Sequence, residues 1–166
     1  MSGSEESKNQ YVDGKIKSLH EQIDALEKTY GLHTITPDPD INNILNFSWN
    51  ELENLTPSEC TQNCYTINQY LLNLKLSINR YKSLKQFCLN AMNLVIASEY
   101  KNFKIDFAPI ELTRYSIIKN NEYANVLNKY IQEYETNIQT LDGVIELVIK
   151  ISETFKSMSY NKKQEE

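Results

Sequence analysis

The sequence contains no glycine and no proline between Pro57 and Pro109. These two residue types interrupt helices most often, so a long stretch without them favours one continuous helix. Apolar residues recur within the stretch at alternating spacings of four and three, which indicates a helix that buries one face. They are Cys60, Cys64, Ile67, Leu71, Leu74, Ile78 and Tyr81. The sequence therefore predicts a helix from Pro57 to about Asn102, roughly 65–70 Å long at about 1.5 Å per residue.

The start of this helix carries a capping signal. Thr56 can accept a hydrogen bond from the first turn, and Glu59 can reach back to the Thr56 backbone. Pro57 suits the first helical position, where a backbone N–H is not needed. The helix is therefore predicted to begin at Pro57.

A second capping signal lies at Ser48, with Glu51 three residues later. It predicts a short helix from Ser48 that connects the long helix to the preceding chain. Trp49 and Leu52 are its large apolar residues, and we expect them on its buried face.

Another long helix is predicted after Pro109, with residues 103–108 forming the turn before it. Its apolar row also has helical spacing and comprises Ala124, Leu127, Ile131, Tyr134, Ile138, Leu141, Ile145 and Val148. A flanking row widens the apolar face and comprises Tyr123, Tyr130, Val144, Ile151, Phe155 and Met158. We expect the two long helices to form an antiparallel hairpin, in which the second helix contacts more than one neighbour.

Residues 12–30 carry a separate heptad pattern, typical of a coiled coil or of a helix docked on one partner face. Its members are Val12, Ile16, Leu19, Ile23, Leu26 and Tyr30. Gly31 follows the last turn and suits the left-handed position that ends many helices. The apolar faces exceed what one hairpin can cover, so we expect a homo-oligomer. Its contacts are predicted at Ile16, Leu19, Ile23 and Leu26.

The predicted fold class is all-α: a long antiparallel helical hairpin with an N-terminal coiled-coil-like helix and a short connecting helix. Pro37 and Pro39 make the segment between the N-terminal and connecting helices extended. The predicted divisions are a disordered tail at 1–10, the heptad helix at 11–31, an extended linker at 32–47, the hairpin domain at 48–160 and a frayed charged tail at 161–166.

Composition and motifs point away from enzymes. The three cysteines have no disulfide-framework or zinc spacing, and no phosphate-binding loop is present. Cys60 and Cys64 are one turn apart but lie in the apolar row, so packing is the favoured interpretation. We expect no catalytic residue, metal, cofactor or small-molecule substrate. The polar N-terminus and short apolar runs predict a cytoplasmic protein with no membrane partner.

The charge distribution suggests one candidate binding face. The net charge is −5, but residues 57–102 hold five bases and two acids. The candidate face comprises Lys75, Arg80, Lys82 and Lys85, interleaved with Tyr70, Tyr81 and Phe87. Basic side chains neutralise phosphates and exposed aromatic rings stack on bases, so this pattern is compatible with single-stranded DNA binding. The alternative is a solvated face that balances the acidic segments of neighbouring subunits.

Two stretches resemble bacteriophage proteins. The first is Trp49–Asn79, which includes Leu55-Thr56-Pro57-Ser58-Glu59-Cys60 and is similar to small helical proteins of tailed phages. The second is Ile117–Met158, which includes Asn121-Glu122-Tyr123-Ala124 and resembles the C-terminal helix of the phage recombination mediator family UvsY. The resemblance implies a non-enzymatic oligomer in the host cytoplasm that binds single-stranded DNA and assists recombinase loading.

The chain departs from that family at one point. A Lys-Ala-Arg run of the UvsY family corresponds here to Ile96-Ala97-Ser98-Glu99, which carries neither base. Any DNA binding would therefore depend on Lys75, Arg80, Lys82 and Lys85. The alternative function is a structural or assembly protein, such as a coiled-coil virion or scaffold component, that binds no nucleic acid.

Overall fold

The computed structural model describes residues 3–32, 39–104 and 109–165, which contain six α-helices and no β-strand. The helices are α1 (Gly3–Tyr30), α2 (Pro39–Leu45), α3 (Trp49–Asn54), α4 (Pro57–Phe103), α5 (Ile110–Asn120) and α6 (Glu122–Glu165). The prediction of an all-α fold built on a long helix pair is confirmed. Helix α4 begins and ends within one residue of its predicted bounds.

The chain divides into two compact units, each containing part of α4 and part of α6. The first unit comprises the described residues of 1–33 and 80–137, and the second those of 34–79 and 138–166. In the second unit, Thr61 contacts Ser159 and Cys64 contacts Ser152, so α4 and α6 run antiparallel there.

The first unit packs α1 against α4 and α6. Its fully buried side chains include Ile23, Leu84, Cys88, Met92, Ile117, Leu127 and Tyr134. The imidazole of His20 meets the ring of Tyr130 edge-on, with 5.8 Å between ring centroids. The ring of Tyr81 lies 5.9 Å from that of Tyr134. The heptad row of α1 therefore docks on the chain's own long helices.

Helix α1 begins earlier than expected, and the prediction of a disordered tail at 1–10 is wrong from Gly3 onward. At the other end, Gly31 adopts φ 64° and its N–H donates to the carbonyl of Lys28 at 3.1 Å. The predicted glycine stop is confirmed.

The predicted extended linker at 32–47 is only partly described, because 33–38 lie outside the described residues. The prediction is wrong over Pro39–Leu45, which forms α2. Pro39 occupies the first helical position and Asp40 the first turn, both favourable at a helix start. Ile41 of α2 is buried, so this short helix packs against its unit through an apolar side chain.

Both predicted capping boxes are present. The backbone N–H of Thr56 donates to Oε2 of Glu59 at 2.8 Å, and the N–H of Glu59 donates to the Thr56 hydroxyl at 3.3 Å. The hydrogen bond from the Thr56 backbone keeps the pKa of Glu59 below its usual value. The pair Ser48 and Glu51 makes the equivalent bonds at the start of α3.

The predicted burial of Trp49 is wrong, because its side chain is 65% exposed. Its indole N–H donates to Oε1 of Glu53 at 2.6 Å, along the surface of α3. The apolar contact in this region comes instead from Phe47, whose ring lies 6.2 Å from that of buried Phe155. Leu52 is half-buried.

The predicted second long helix is divided in two. Helix α5 ends at Asn120, and Asn121 adopts an extended conformation with φ −114° and ψ 112°. The Asn121 side-chain oxygen then accepts from the N–H of Ala124 at 3.0 Å, which is an N-cap for α6. Of the predicted turn, 105–108 lie outside the described residues.

Candidate assembly surface on helix α4

The structure separates the four predicted DNA-binding residues into two groups. Lys75 and Lys82 are exposed. Nη1 of Arg80 donates to the carbonyl oxygen of Tyr30 at 2.6 Å, so this guanidinium caps the C-terminal end of α1. The ammonium of Lys85 is paired with the carboxylate of Glu135 on α6. Arg80 and Lys85 thus serve contacts within the first unit, and two of the four predicted cations remain directed to solvent.

The interleaved aromatic residues are also only partly accessible. Tyr70 and Tyr81 are half-buried, and burial raises the pKa of both phenols. Tyr81 also packs against Tyr134, as described above. Phe87 is exposed. A continuous stacking platform beside the lysines is therefore not formed by these three rings.

The predicted oligomer contacts of α1 lie largely inside the monomer. Leu19 is 3% exposed and Ile23 is fully buried, whereas Ile16 and Leu26 are half-buried. The heptad row had predicted a partner helix, and the structure supplies that partner from the same chain. Leu19 and Ile23 are consequently not free to meet a second subunit, which corrects their assignment as surface contacts.

A second apolar row follows the solvent-exposed side of α4. It contains five large residues that are between 36% and 74% exposed, with a serine in the remaining place. We call this set the outer row: Tyr65, Leu72, Leu76, Ser83, Phe87 and Leu94. Their spacings are 7, 4, 7, 4 and 7 residues. At 3.6 residues per turn, all six fall within a sector of about 60°.

The outer row has a sequence signal that the heptad reading missed. Tyr65, Leu76 and Phe87 are 11 residues apart, as are Leu72, Ser83 and Leu94. An 11-residue repeat averages about 3.67 residues per turn and marks a nearly straight stripe. It was hidden because the buried heptad row interleaves with it along the same helix.

The surroundings of the outer row are polar, and the charged residues among them, Lys75 and Lys82, are both basic. Its other exposed neighbours include Asn68, Gln69, Asn79, Gln86 and Asn90. Helix α4 carries no acidic residue between Glu59 and Glu99. Depletion of charge together with exposed Tyr, Leu and Phe is the composition expected at the centre of a protein–protein interface. The outer row therefore has the character of a contact surface.

The cysteines serve packing in this structure. Cys60 and Cys88 are buried, Cys64 is half-buried, and all three are free thiols. Burial raises the pKa of Cys60, and it raises the pKa of Cys88 to about 11. Both effects disfavour the thiolate, which is the nucleophilic and metal-binding form. Among the described residues, no three His, Cys, Asp or Glu side chains are grouped to hold a metal ion.

Within the described ranges, no helix is both long enough and apolar enough to cross a bilayer. The chain matches no protein-family model, no curated protein and no solved structure. The resemblance of Ile117–Met158 to the UvsY family therefore stays a prediction from the sequence.

Proposed function

We propose that this protein is a non-enzymatic helical assembly protein that self-associates through the outer row of α4. The observation that carries the proposal is the exposure of Tyr65, Leu72, Leu76, Phe87 and Leu94 in one narrow, uncharged sector. Single exposed apolar residues are normal on protein surfaces. A contiguous series of them is instead typical of an interaction site.

Removing the outer row from water would be energetically favourable. Burying one Leu or Phe side chain fully contributes about 1.5–3 kcal/mol, and the outer row offers five large apolar residues. The heptad row of α1 is already covered within the chain. Self-association through α4 therefore does not require α1 to leave its place, and each chain keeps its own core.

A recombination-mediator function is the second proposal. Lys75 and Lys82 are exposed and seven residues apart, so they lie on the same side of α4. They favour contact with the phosphates of single-stranded DNA, and a recombinase would be the protein partner implied by the resemblance. The internal contacts of Arg80 and Lys85 weigh against a four-residue face. The alternative that binds no nucleic acid, a scaffold or virion component, shares the same self-association.

Sedimentation velocity over a range of protein concentrations tests the self-association. We expect a weight-average mass that rises above the chain mass of 19.4 kDa with concentration. Leu72→Glu should hold the protein at the monomer mass, because it places a charge within the row. The matched control is Leu147→Glu, an exposed leucine on α6, which should behave as wild type. A wild-type chain that stays monomeric at high micromolar concentration contradicts the proposal.

A further inference from the structure

Trp49 is exposed, although tryptophan side chains are highly buried on average. It is the chain's only tryptophan, and its side chain is 65% exposed. Its indole N–H donates to Oε1 of Glu53 at 2.6 Å, so the ring and the carboxylate are held side by side on α3. Tryptophan is among the residues that contribute most to binding at protein–protein contacts. Helix α3 therefore presents an aromatic anchor with a negative charge beside it.

A groove with complementary chemistry lies in the same compact unit, where the first turns of α4 meet the end of α6. It has a volume of about 890 Å³. Its lining residues are Thr56, Pro57, Ser58, Thr61, Gln62, Tyr65 and Lys163. The rings of Pro57 and Tyr65 and the aliphatic part of Lys163 offer apolar contacts. Among the described residues that line the groove, Lys163 carries the only charge, and it is positive. The groove therefore suits an aromatic ring with a carboxylate beside it.

We propose that the Trp49–Glu53 pair of one copy docks in this groove on a second copy of the chain. The indole lies between Tyr65 and Pro57, and the carboxylate pairs with Lys163. The inference rests on the proposed self-association and names the surface that one end of the outer row receives, because Tyr65 belongs to both the row and the groove. Every residue of this contact lies within the second compact unit.

The two halves of the contact are separate within one chain. Trp49 is not among the residues that line the groove. The exposure of its side chain shows that its own unit leaves the ring uncovered. Because the anchor and the groove are different surfaces, the anchor of one copy meets the groove of another, which is a heterologous contact. Each copy can therefore donate an anchor and receive one.

Charge favours a second copy as the occupant of the groove. Residues 29–74 contain no lysine or arginine, so the charged side chains of α2 and α3 are all acidic. A neighbouring groove shares Lys163 and adds Lys156, and these two bases outnumber its one acid, Glu153. Opposite charge on two surfaces speeds their encounter and fixes the orientation in which they meet. The acidic surface that carries Trp49 is thus complementary to the groove.

Lys162 holds the anchor in place on its own chain. Its ammonium donates to the carbonyl oxygens of Leu52 at 3.3 Å and Glu53 at 2.6 Å, which attaches α3 to the end of α6. A helix of six residues is not stable alone, so this attachment preorganises the anchor and lowers the entropy cost of docking. Lys163, the next residue, is exposed and lines the groove. The two adjacent lysines therefore serve opposite halves of the contact.

Intrinsic fluorescence tests whether Trp49 enters the contact. Because the chain has one tryptophan, its emission reports on this site alone. We expect the emission maximum of the wild type to move to shorter wavelength as protein concentration rises, in step with the rise in mass seen in sedimentation. Lys163→Glu should show neither change at the concentrations where the wild type associates. A wild-type emission maximum that stays constant during association would refute the contact.

Charge exchange tests the pairing of Glu53 with Lys163. Glu53→Lys and Lys163→Glu each place like charges across the contact, so each should weaken self-association by about tenfold or more. A mixture of the two proteins should associate, because the unchanged anchor of one meets the unchanged groove of the other and the altered charges also attract. The matched control is Lys150→Glu, an exposed lysine on the same helix, which should behave as wild type. A mixture that stays monomeric while circular dichroism shows wild-type helicity would overturn the pairing.

The outcomes separate this contact from the proposed function. Trp49→Ala should weaken self-association by roughly thirtyfold, as expected for an aromatic anchor. If Leu72→Glu abolishes association but Trp49→Ala and Lys163→Glu leave it unchanged, the contact is refuted while assembly through the outer row stands. Weakening by Trp49→Ala and by Leu72→Glu together supports both. A wild-type chain that stays monomeric in sedimentation would refute the proposed function itself.

Discussion

The hydroxyl group of Tyr134 donates a hydrogen bond of 2.7 Å to Oε1 of Glu27, joining α6 to α1 across 107 residues of sequence. Tyr134 is fully buried and stacks on Tyr130, with 6.0 Å between the ring centroids. The N-terminal helix is thus held by a polar contact as well as by Leu19 and Ile23. Tyr134 belongs to the predicted apolar row. It makes this polar contact because the carboxylate of Glu27 lies within hydrogen-bond distance of its hydroxyl group.

Tyr134→Phe should lower the free energy of unfolding by about 1–2 kcal/mol, since it removes one hydrogen bond to a charged acceptor and keeps the ring. Urea denaturation measures this. Tyr160→Phe is the matched control, because Tyr160 is exposed on the same helix. Its effect should stay within about 0.5 kcal/mol. Equal effects of the two changes would contradict a stabilising role for the Tyr134 hydroxyl.

Stability should fall at alkaline pH. Burial, reinforced by the bond to Glu27, raises the pKa of Tyr134 above its ordinary value of about 10. Above that pH the unfolded chain releases the phenolic proton while the folded chain keeps it. The contribution is therefore complete below about pH 10 and is lost progressively as pH rises. Thermal melts between neutral and strongly alkaline pH should show this decline, and it should be smaller in Tyr134→Phe.

Ile23→Ala should destabilise the monomer by about 2–5 kcal/mol, because it leaves a cavity in a fully buried site. If α1 served only to join subunits, the change would alter sedimentation and leave the unfolding transition of the monomer in place. Ile16→Ala, at a half-buried position of the same row, should cost less. Circular dichroism with urea, read beside sedimentation velocity, distinguishes the two outcomes.

Lys162→Met should cost about 1 kcal/mol, whereas Lys163→Met should be nearly neutral. The ammonium of Lys162 donates to the carbonyl oxygens of Glu53 at 2.6 Å and Leu52 at 3.3 Å, and also to that of Leu55. It therefore caps the C-terminal end of α3. Lys163, the next residue, is exposed. Equal midpoints for the two variants in urea would contradict the cap.

The C-terminus also differs from the prediction. A frayed charged tail was predicted at 161–166, but α6 continues through Glu165. Charge reversal at Lys162 would therefore disturb the end of α3. Lys162 binds the carbonyl oxygens at the end of α3, which lies far from it in sequence. No local sequence pattern predicts such a contact.

Local signals were sufficient for the helix ends and for the fold class. The caps at Thr56 and Ser48 act over three residues, and Gly31 acts on the turn before it. Interactions of such short range do not depend on the rest of the chain. Asn121 is a missed case of the same kind, because its capping side chain was already present in the sequence.

The sequence by itself determined that α4 is one long helix and which of its residues share a face. The periodicity of the sequence does not determine which helix packs against that face, however. Only the tertiary structure assigned the α1 row at Leu19 and Ile23 to the chain's own core and left the outer row of α4 uncovered. The same holds for Arg80, which looked like a phosphate ligand and instead binds Tyr30. The physical reason is that these contacts join residues far apart in sequence, where packing and helix-end carbonyls decide the partner.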